Sequence, residues 1–160
     1  MIHVLMAAAL AVATPAAAPA AFFAGNGDPM TAPVPAGYYA FQKVVYKNDG
    51  GLPDDRAYFG QLLRNIAAHV EATNGRVEIR VVSFARGVAL FQMAKSDPEL
   101  AGRIDALRAK GVRFLVCRNT LRALKLAPAD LYKVAPQDVA PSGVAEIARL
   151  QGLGFVYLHP

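Results

Sequence analysis

The feature that most constrains this chain is an alternation of short β-branched runs with longer stretches of helical period, beginning at Phe41 and continuing to the end. Phe41 to Tyr46 is apolar and β-branched at Val44 and Val45, which suits a buried strand. After Asn48-Asp49-Gly50-Gly51, Asp54 or Asp55 can cap a helix carrying Phe59, Leu62, Leu63, Ile66 and Val70 on one face, and Asn74-Gly75 ends it. Val77 to Phe84 reads as a second strand, and Gly87 opens a short helix. Ser96 or Asp97 caps the next one, with Ser96 and Glu99 in capping-box spacing and Pro98 in a tolerated first-turn position. Leu100, Ile104 and Leu107 line its inner face, and Gly111 stops it.

Val112 to Cys117 follows as a third strand, with Asn119 or Thr120 capping a helix after it. Val134 to Val139 is a weak fourth strand, interrupted by Pro136. Ser142 caps a helix bearing Val144, Ile147 and Leu150, and Phe155 to Leu158 is a last strand. Strands separated by helices imply an α/β fold: a doubly wound, mainly parallel five-stranded sheet with helices on both faces, of flavodoxin-like or related type.

The segment before this alternation is different. Val4 to Thr14 is an apolar run too short to span a bilayer comfortably, followed by small residues with cleavage-like sites at Ala18-Pro19-Ala20 and Ala24. Residues 1–24 therefore read as a signal peptide, although Met1-Ile2-His3 supplies no Lys or Arg. Residues 25–40, rich in Gly and Pro, read as a flexible linker, and 41–160 as one α/β domain. The expectation is a periplasmic or secreted protein with no membrane association after cleavage.

In open parallel sheets, functional groups gather beyond the carboxyl ends of the strands. Those positions hold Asn48 and Asp49, then Arg86 and Gly87, then Cys117, Arg118, Asn119 and Thr120, then Pro141, Ser142 and Gly143. The chain has one cysteine, so no internal disulfide can form, and an unpaired thiol in an exported protein suggests a reactive group or intermolecular pairing. The competing reading is a buried, inert cysteine. Cys117 stands ahead of a helix N-terminus, where partial positive charge favours an anion. Seven cations fall between Arg103 and Lys125, opposed only by Asp105, with Arg118 and Arg86 as the nearest candidates to the thiol. A lowered thiol pKa is expected.

Other chemistries find little support. The formal charge is +5, from 17 Lys plus Arg against 12 Asp plus Glu, but no basic and aromatic pattern for nucleic acid accompanies it. His69 reads as a helix-flank residue, and His3 and His159 have no partners at ligand spacing, so no metal signature exists. Gly50-Gly51 is a turn signal, not a dinucleotide loop, so no cofactor is expected.

Val116-Cys117-Arg118-Asn119-Thr120-Leu121 resembles the cysteine loop of DsrE/DsrF-like proteins. Pro141 to Gln151, with Gly154 to Pro160, is similar to the closing helix and strand of exported members, and Arg64-Asn65-Ile66 is also similar; the resemblance spans about residues 41 to 160. It implies a subunit that assembles into homo-oligomers, trimers or hexamers; Tyr38, Tyr39 and Phe41, just ahead of the core, are placed either to cover such an interface or to pack on their own domain. It implies that Cys117 matches the position that carries sulfur as a persulfide in sulfur-relay members, passing it between donor and acceptor proteins, and that Ser142 matches the family's serine before the last helix. Relay members are cytoplasmic and hetero-oligomeric, whereas this chain reads as exported. The expectations are a sulfurtransferase-like carrier with Cys117 catalytic and Arg118, Asn119, Thr120, Arg86, Gly87, Ser142 and Asn48 binding substrate. The alternatives are a non-catalytic small-anion or thiol binding module, or an oligomeric scaffold.

Overall fold

The structure, a computed structural model, describes residues 28, 30, 32, 34, 35, 37–51 and 53–159. The signal-peptide segment 1–24 and part of the 25–40 linker lie outside the described residues. The chain divides into a unit of residues 1–38 and a compact unit of residues 39–160. In the first unit, Met30 N donates to Asp28 Oδ1 at 2.9 Å and Tyr38 N to the Pro35 carbonyl at 3.0 Å, both turn contacts.

The second unit runs β1 (Gln42–Asn48), α1 (Asp55–Ala72), β2 (Val77–Ser83), a 3-10 turn at Ala85–Val88, α2 (Ala89–Met93), α3 (Pro98–Ala109), β3 (Arg113–Cys117), α4 (Arg118–Leu124), β4 (Val139–Ala140), α5 (Gly143–Gly152) and β5 (Val156–Leu158). All strand pairs are parallel, in the order β4-β3-β2-β1-β5. This is the expected doubly wound α/β fold.

Local chemistry sets the helix starts. Asp54 caps α1, its carboxylate accepting from Ala57 N at 3.0 Å. Asp97, not Ser96, caps α3, accepting from the Glu99 and Leu100 amides. Pro98 fixes that choice, because a first-turn proline puts the cap on the residue just before it. The expected capping box does not form: Glu99 turns outward to Arg56 and Arg103. The fourth strand is also shorter than expected. Pro136 begins a 3-10 turn, Pro136–Asp138, so only Val139 and Ala140 pair with β3.

Alternation along the strands divides the core in two. Val44, Tyr46, Ile79, Val81, Phe114 and Val116 face one side, under Leu62, Leu63 and Ile66 of α1, Phe91, Ile104 and Leu121. Val45, Val82 and Leu115 face the other, covered by Leu150 of α5 and by Phe155. Each fully buried Leu or Ile contributes about 1.5–3 kcal/mol. The connection leaving β3 therefore runs over one face and that leaving β4 over the other. The topological switch point, where open α/β sheets form their ligand crevice, lies between β3 and β4. Cys117 and Ala140 pair there, side by side.

Candidate functional site

Cys117 is the last residue of β3 and is itself the N-cap of α4, with φ −75° and ψ 118°. The sequence suggested Asn119 or Thr120 for that role, but the helix follows the strand without an intervening residue. Asn119 and Thr120 consequently sit in its first turn, where backbone N–H groups have no intrahelical acceptor. No side-chain oxygen caps α4.

The thiol is buried, at 5% exposure. Burial alone pushes its pKa up, but hydrogen bonding from the Gly143, Thr120 and Asn119 amides and from the Thr120 hydroxyl outweighs it, and the net pKa lies below that of a free cysteine. These donors come from both sides of the switch point. Gly143 opens α5, whose cap is Ser142, accepting from Ala145 N at 3.4 Å. A side chain at Gly143 would place its Cβ 3.0 Å from Phe84 Cβ and 3.2 Å from Cys117 Cβ, so glycine permits the close approach of the α5 amide. The Thr120 hydroxyl is oriented from behind. The Ala85 amide donates to Thr120 Oγ1 at 3.0 Å, leaving the hydroxyl proton for the sulfur. Ala85 holds a left-handed conformation, φ 49°, an alanine geometry that costs about 1–2 kcal/mol.

The expected electrostatics need correction. Arg86 does not act on the thiol; it grips Asp55 through two nitrogens, Nη2 at 2.8 Å and Nε at 3.2 Å from Oδ2. That hydrogen bond holds the Asp55 carboxyl below the usual range, against its burial and with help from the Gly51 amide. Arg118 lines a separate cavity with Leu121, Arg122 and Pro136. Arg103 pairs with Glu99, and Arg108 lies over the Phe114 ring at 5.7 Å. Hydrogen bonds from amides and the Thr120 hydroxyl, not guanidinium charges, hold the thiol pKa down.

Asn48 and Gly87 also differ from expectation. Asn48 is fully buried, and its Nδ2 donates at 3.0 Å to Ser83 Oγ and to the Gly87 carbonyl. A Cβ on Gly87 would fall 2.0 Å from the Asn48 carbonyl oxygen. These two residues lock the ends of β1 and β2 to the 85–88 turn, and so place Ala85; they position the site without facing it. Ser142 likewise works as a cap.

A cavity of about 600 Å³ opens beside the thiol's cradle, lined by Asp55, Ala85, Arg86, Ala89, Gln92, Asn119, Thr120, Ala123 and Leu124. It brings together the predicted Arg86, Asn119 and Thr120. Sequence reasoning missed Ala85, which carries no residue-type signal, and left Gly143 unassigned although it stands at the expected sheet edge. Among the described residues no cluster of His, Cys, Asp and Glu could hold a metal, and no helix is long and apolar enough to cross a membrane. His69 is held between Tyr46 Oη at 2.8 Å and Gln42 Oε1 at 2.6 Å, and His159 lies 3.4 Å from Asp49.

The sequence model of the DsrE/DsrF-like family matches residues 44–160. The chain belongs to the DsrE/DsrF-like family. This DsrE/DsrF-like chain is also similar to a solved structure, protein of unknown function MTH1491 from Methanobacterium thermoautotrophicum, at 34% identity. The likeness covers 74% of this chain and 99% of that one, with a TM-score of 0.64. No curated protein matches the chain. Membership in the DsrE/DsrF-like family suggests a sulfur-relay-related protein.

Proposed function

We propose that this protein is a sulfur carrier that accepts sulfane sulfur on Cys117 as a persulfide and relays it to an acceptor. The observation that carries this reading is the donor cradle around the thiol: three backbone amides and one hydroxyl offset the burial penalty and favour the sulfur anion. The thiolate attacks the terminal sulfur of a donor R–S–SH. A new S–S bond forms on Cys117, the donor's S–S bond breaks, and the departing thiolate takes the proton as RSH. The product persulfide is again an anion, and the same amides stabilise it. Transfer onward is the same step with an acceptor thiolate as nucleophile. No net oxidation occurs, because the sulfane sulfur moves without changing its state.

The setting we propose is the periplasm or the extracellular space, as a homo-oligomer (trimer or hexamer) served by a donor or acceptor protein. The leader-like composition of residues 1–24 supports export. Exposed Phe41 and Val156 at the β1–β5 edge support an interface.

Intact mass after exposure to inorganic polysulfide tests the carrier reading. The expected result is one added sulfur, removed by reductant and absent in Cys117→Ser. An unmodified Cys117 under conditions that load free cysteine overturns it. The low exposure of the thiol, 5%, favours the competing reading of a non-catalytic binding module. Ligand-dependent stabilisation with no sulfur adduct would decide for that module.

A further inference from the structure

The geometry points to a small organic persulfide with an apolar body, not an inorganic sulfur anion, as the molecule that loads Cys117; this rests on the carrier reading above. The cavity beside the site shares three residues with the thiol's surroundings. Ala85 orients the Thr120 hydroxyl, and Thr120 and Asn119 supply donors to the sulfur. Cys117 itself, 5% exposed, does not line the space, which begins at the Asn119 and Thr120 groups beside it.

Its walls decide what it accepts. Beyond the cradle it is bounded by Ala89, Ala123 and Leu124, the last 51% exposed at the lip. Small apolar side chains leave room and offer no hydrogen bonds. Its one cation, Arg86, is already matched by Asp55 in the same wall. The two cancel, so a polysulfide or thiosulfate dianion entering here would lose water without gaining an unpaired positive charge. Gln92 and Asn119 are neutral. The volume, about 600 Å³, also falls within the range of about 300–1,000 Å³ typical of sites for organic ligands and is far larger than an inorganic sulfur anion fills. In the transfer, the apolar body R rests against Ala89, Ala123 and Leu124 while its S–SH end reaches Thr120. After the S–S bond breaks, RSH leaves by the route it entered.

The test compares three donors with the same reactive group: benzyl hydropersulfide, glutathione hydropersulfide and inorganic hydrogen disulfide. Each rate of sulfur loading on Cys117, followed by intact mass, is divided by that donor's rate with free cysteine. The expected normalised rate for the benzyl donor exceeds the other two by about tenfold or more, a difference of roughly 1.4 kcal/mol. Ala123→Phe, filling the cavity, and Leu124→Asp, charging its exposed lip, should each collapse that preference. Equal normalised rates, a preference for either polar donor, or a benzyl preference untouched by both substitutions overturns the inference while leaving the carrier reading intact. Failure of all three donors to load Cys117 overturns both.

Discussion

The Ala85 amide and the Thr120 hydroxyl are joined by a 3.0 Å hydrogen bond that reaches across from the end of β2 to the first turn of α4. Thr120 Oγ1 accepts from Ala85 with one lone pair, which leaves its own proton free to point at Cys117. Thr120→Val should remove that donor and leave the shape, whereas Thr120→Ser should keep it. A hydrogen bond to a charged group contributes about 1.5–3 kcal/mol. Shared among four donors, its loss should slow alkylation of Cys117 by iodoacetamide at pH 7 by roughly threefold to tenfold. In the wild type the midpoint of alkylation against pH should fall below about 8.5, the free-cysteine value. An unaltered rate in Thr120→Val, with the fold intact, sinks this account.

The same group links to stability with a definite sign. The folded thiol has a lowered pKa, so its contribution is present above the unfolded value of about 8.5 and is lost as pH falls through the folded value. The stability gap between wild type and Thr120→Val, measured by urea unfolding, should therefore be wider at pH 9 than at pH 6. A gap independent of pH assigns Thr120 a packing role only.

Glycines give a contrast that separates close approach from mere flexibility. Gly87→Ala drives a Cβ to 2.0 Å from the Asn48 carbonyl oxygen, a backbone atom that cannot step aside, and should cost about 3 kcal/mol or more. Gly143→Ala meets Phe84 and Cys117 at 3.0–3.2 Å, and should cost about 1–3 kcal/mol while lifting the α5 amide off the sulfur. Gly102→Ala, in the interior of α3 with nothing within 4 Å, should stabilise by about 0.5–1 kcal/mol. Thermal or urea unfolding of the three checks the order, and a Gly87→Ala variant as stable as Gly102→Ala contradicts the geometry.

How much of this was legible beforehand follows from what kind of signal each residue carries. The faces of α1, α3 and α5 and the buried strands could be read because burial imposes period 3.6 or 2 on residue type. Cys117 could be placed at the sheet's carboxyl edge because a strand's end is marked by where its apolar run stops. The orientation of arginines could not be read. Its place after β2 points Arg86 toward the thiol, yet Asp55, 31 positions earlier, captures it. Asn48 had the right address and the wrong direction, turned inward to Ser83 and Gly87. Ala85 was illegible because its role is a backbone angle that alanine does not advertise. The fourth strand was overextended because Pro136 starts a turn, where the β-branched neighbours suggested pairing.

His69 should make the protein sensitive to mild acid. Gln42 Oε1 can only accept, so His69 Nε2 carries the proton and the bare Nδ1 accepts from the Tyr46 hydroxyl. Burial pushes the His69 pKa down, so the unfolded chain binds a proton first. Stability is then full above the unfolded value of about 6.5 and declines as pH falls below it. Unfolding measured between pH 7 and 5 should show a loss that His69→Gln abolishes. Burial also lifts Tyr46 to about 12, which has the opposite consequence: its contribution is fully present below the unfolded value of about 10 and is lost as pH rises above it through about 12. Phenol absorbance on alkaline titration should show this tyrosine ionising late, and one ionising near 10 with the fold intact would contradict its burial.

Arg80 and Arg113 are direct cross-strand partners in the β2–β3 register, two like charges on the α5 face of the sheet. Burial lowers the Arg80 pKa first, Glu78 opposes the shift, and Arg113 adds to it. Arg80 is nevertheless accommodated: it pairs with Glu78 and lies 5.6 Å from the Phe155 ring centroid. Arg113 is exposed and forms no ion pair among the described residues, so it contributes the repulsion without a matching attraction. Like charges directly opposite each other destabilise a sheet by about 0.2–1 kcal/mol. Arg113→Gln should therefore stabilise the protein by that amount at about 0.01 M salt, where the screening length is about 30 Å, and by less at 0.15 M, where it is about 8 Å. Melting temperatures of both proteins at the two salt concentrations supply the check. If Arg113→Gln melts lower at low salt, the guanidinium must have an attractive partner stronger than its neighbour's repulsion.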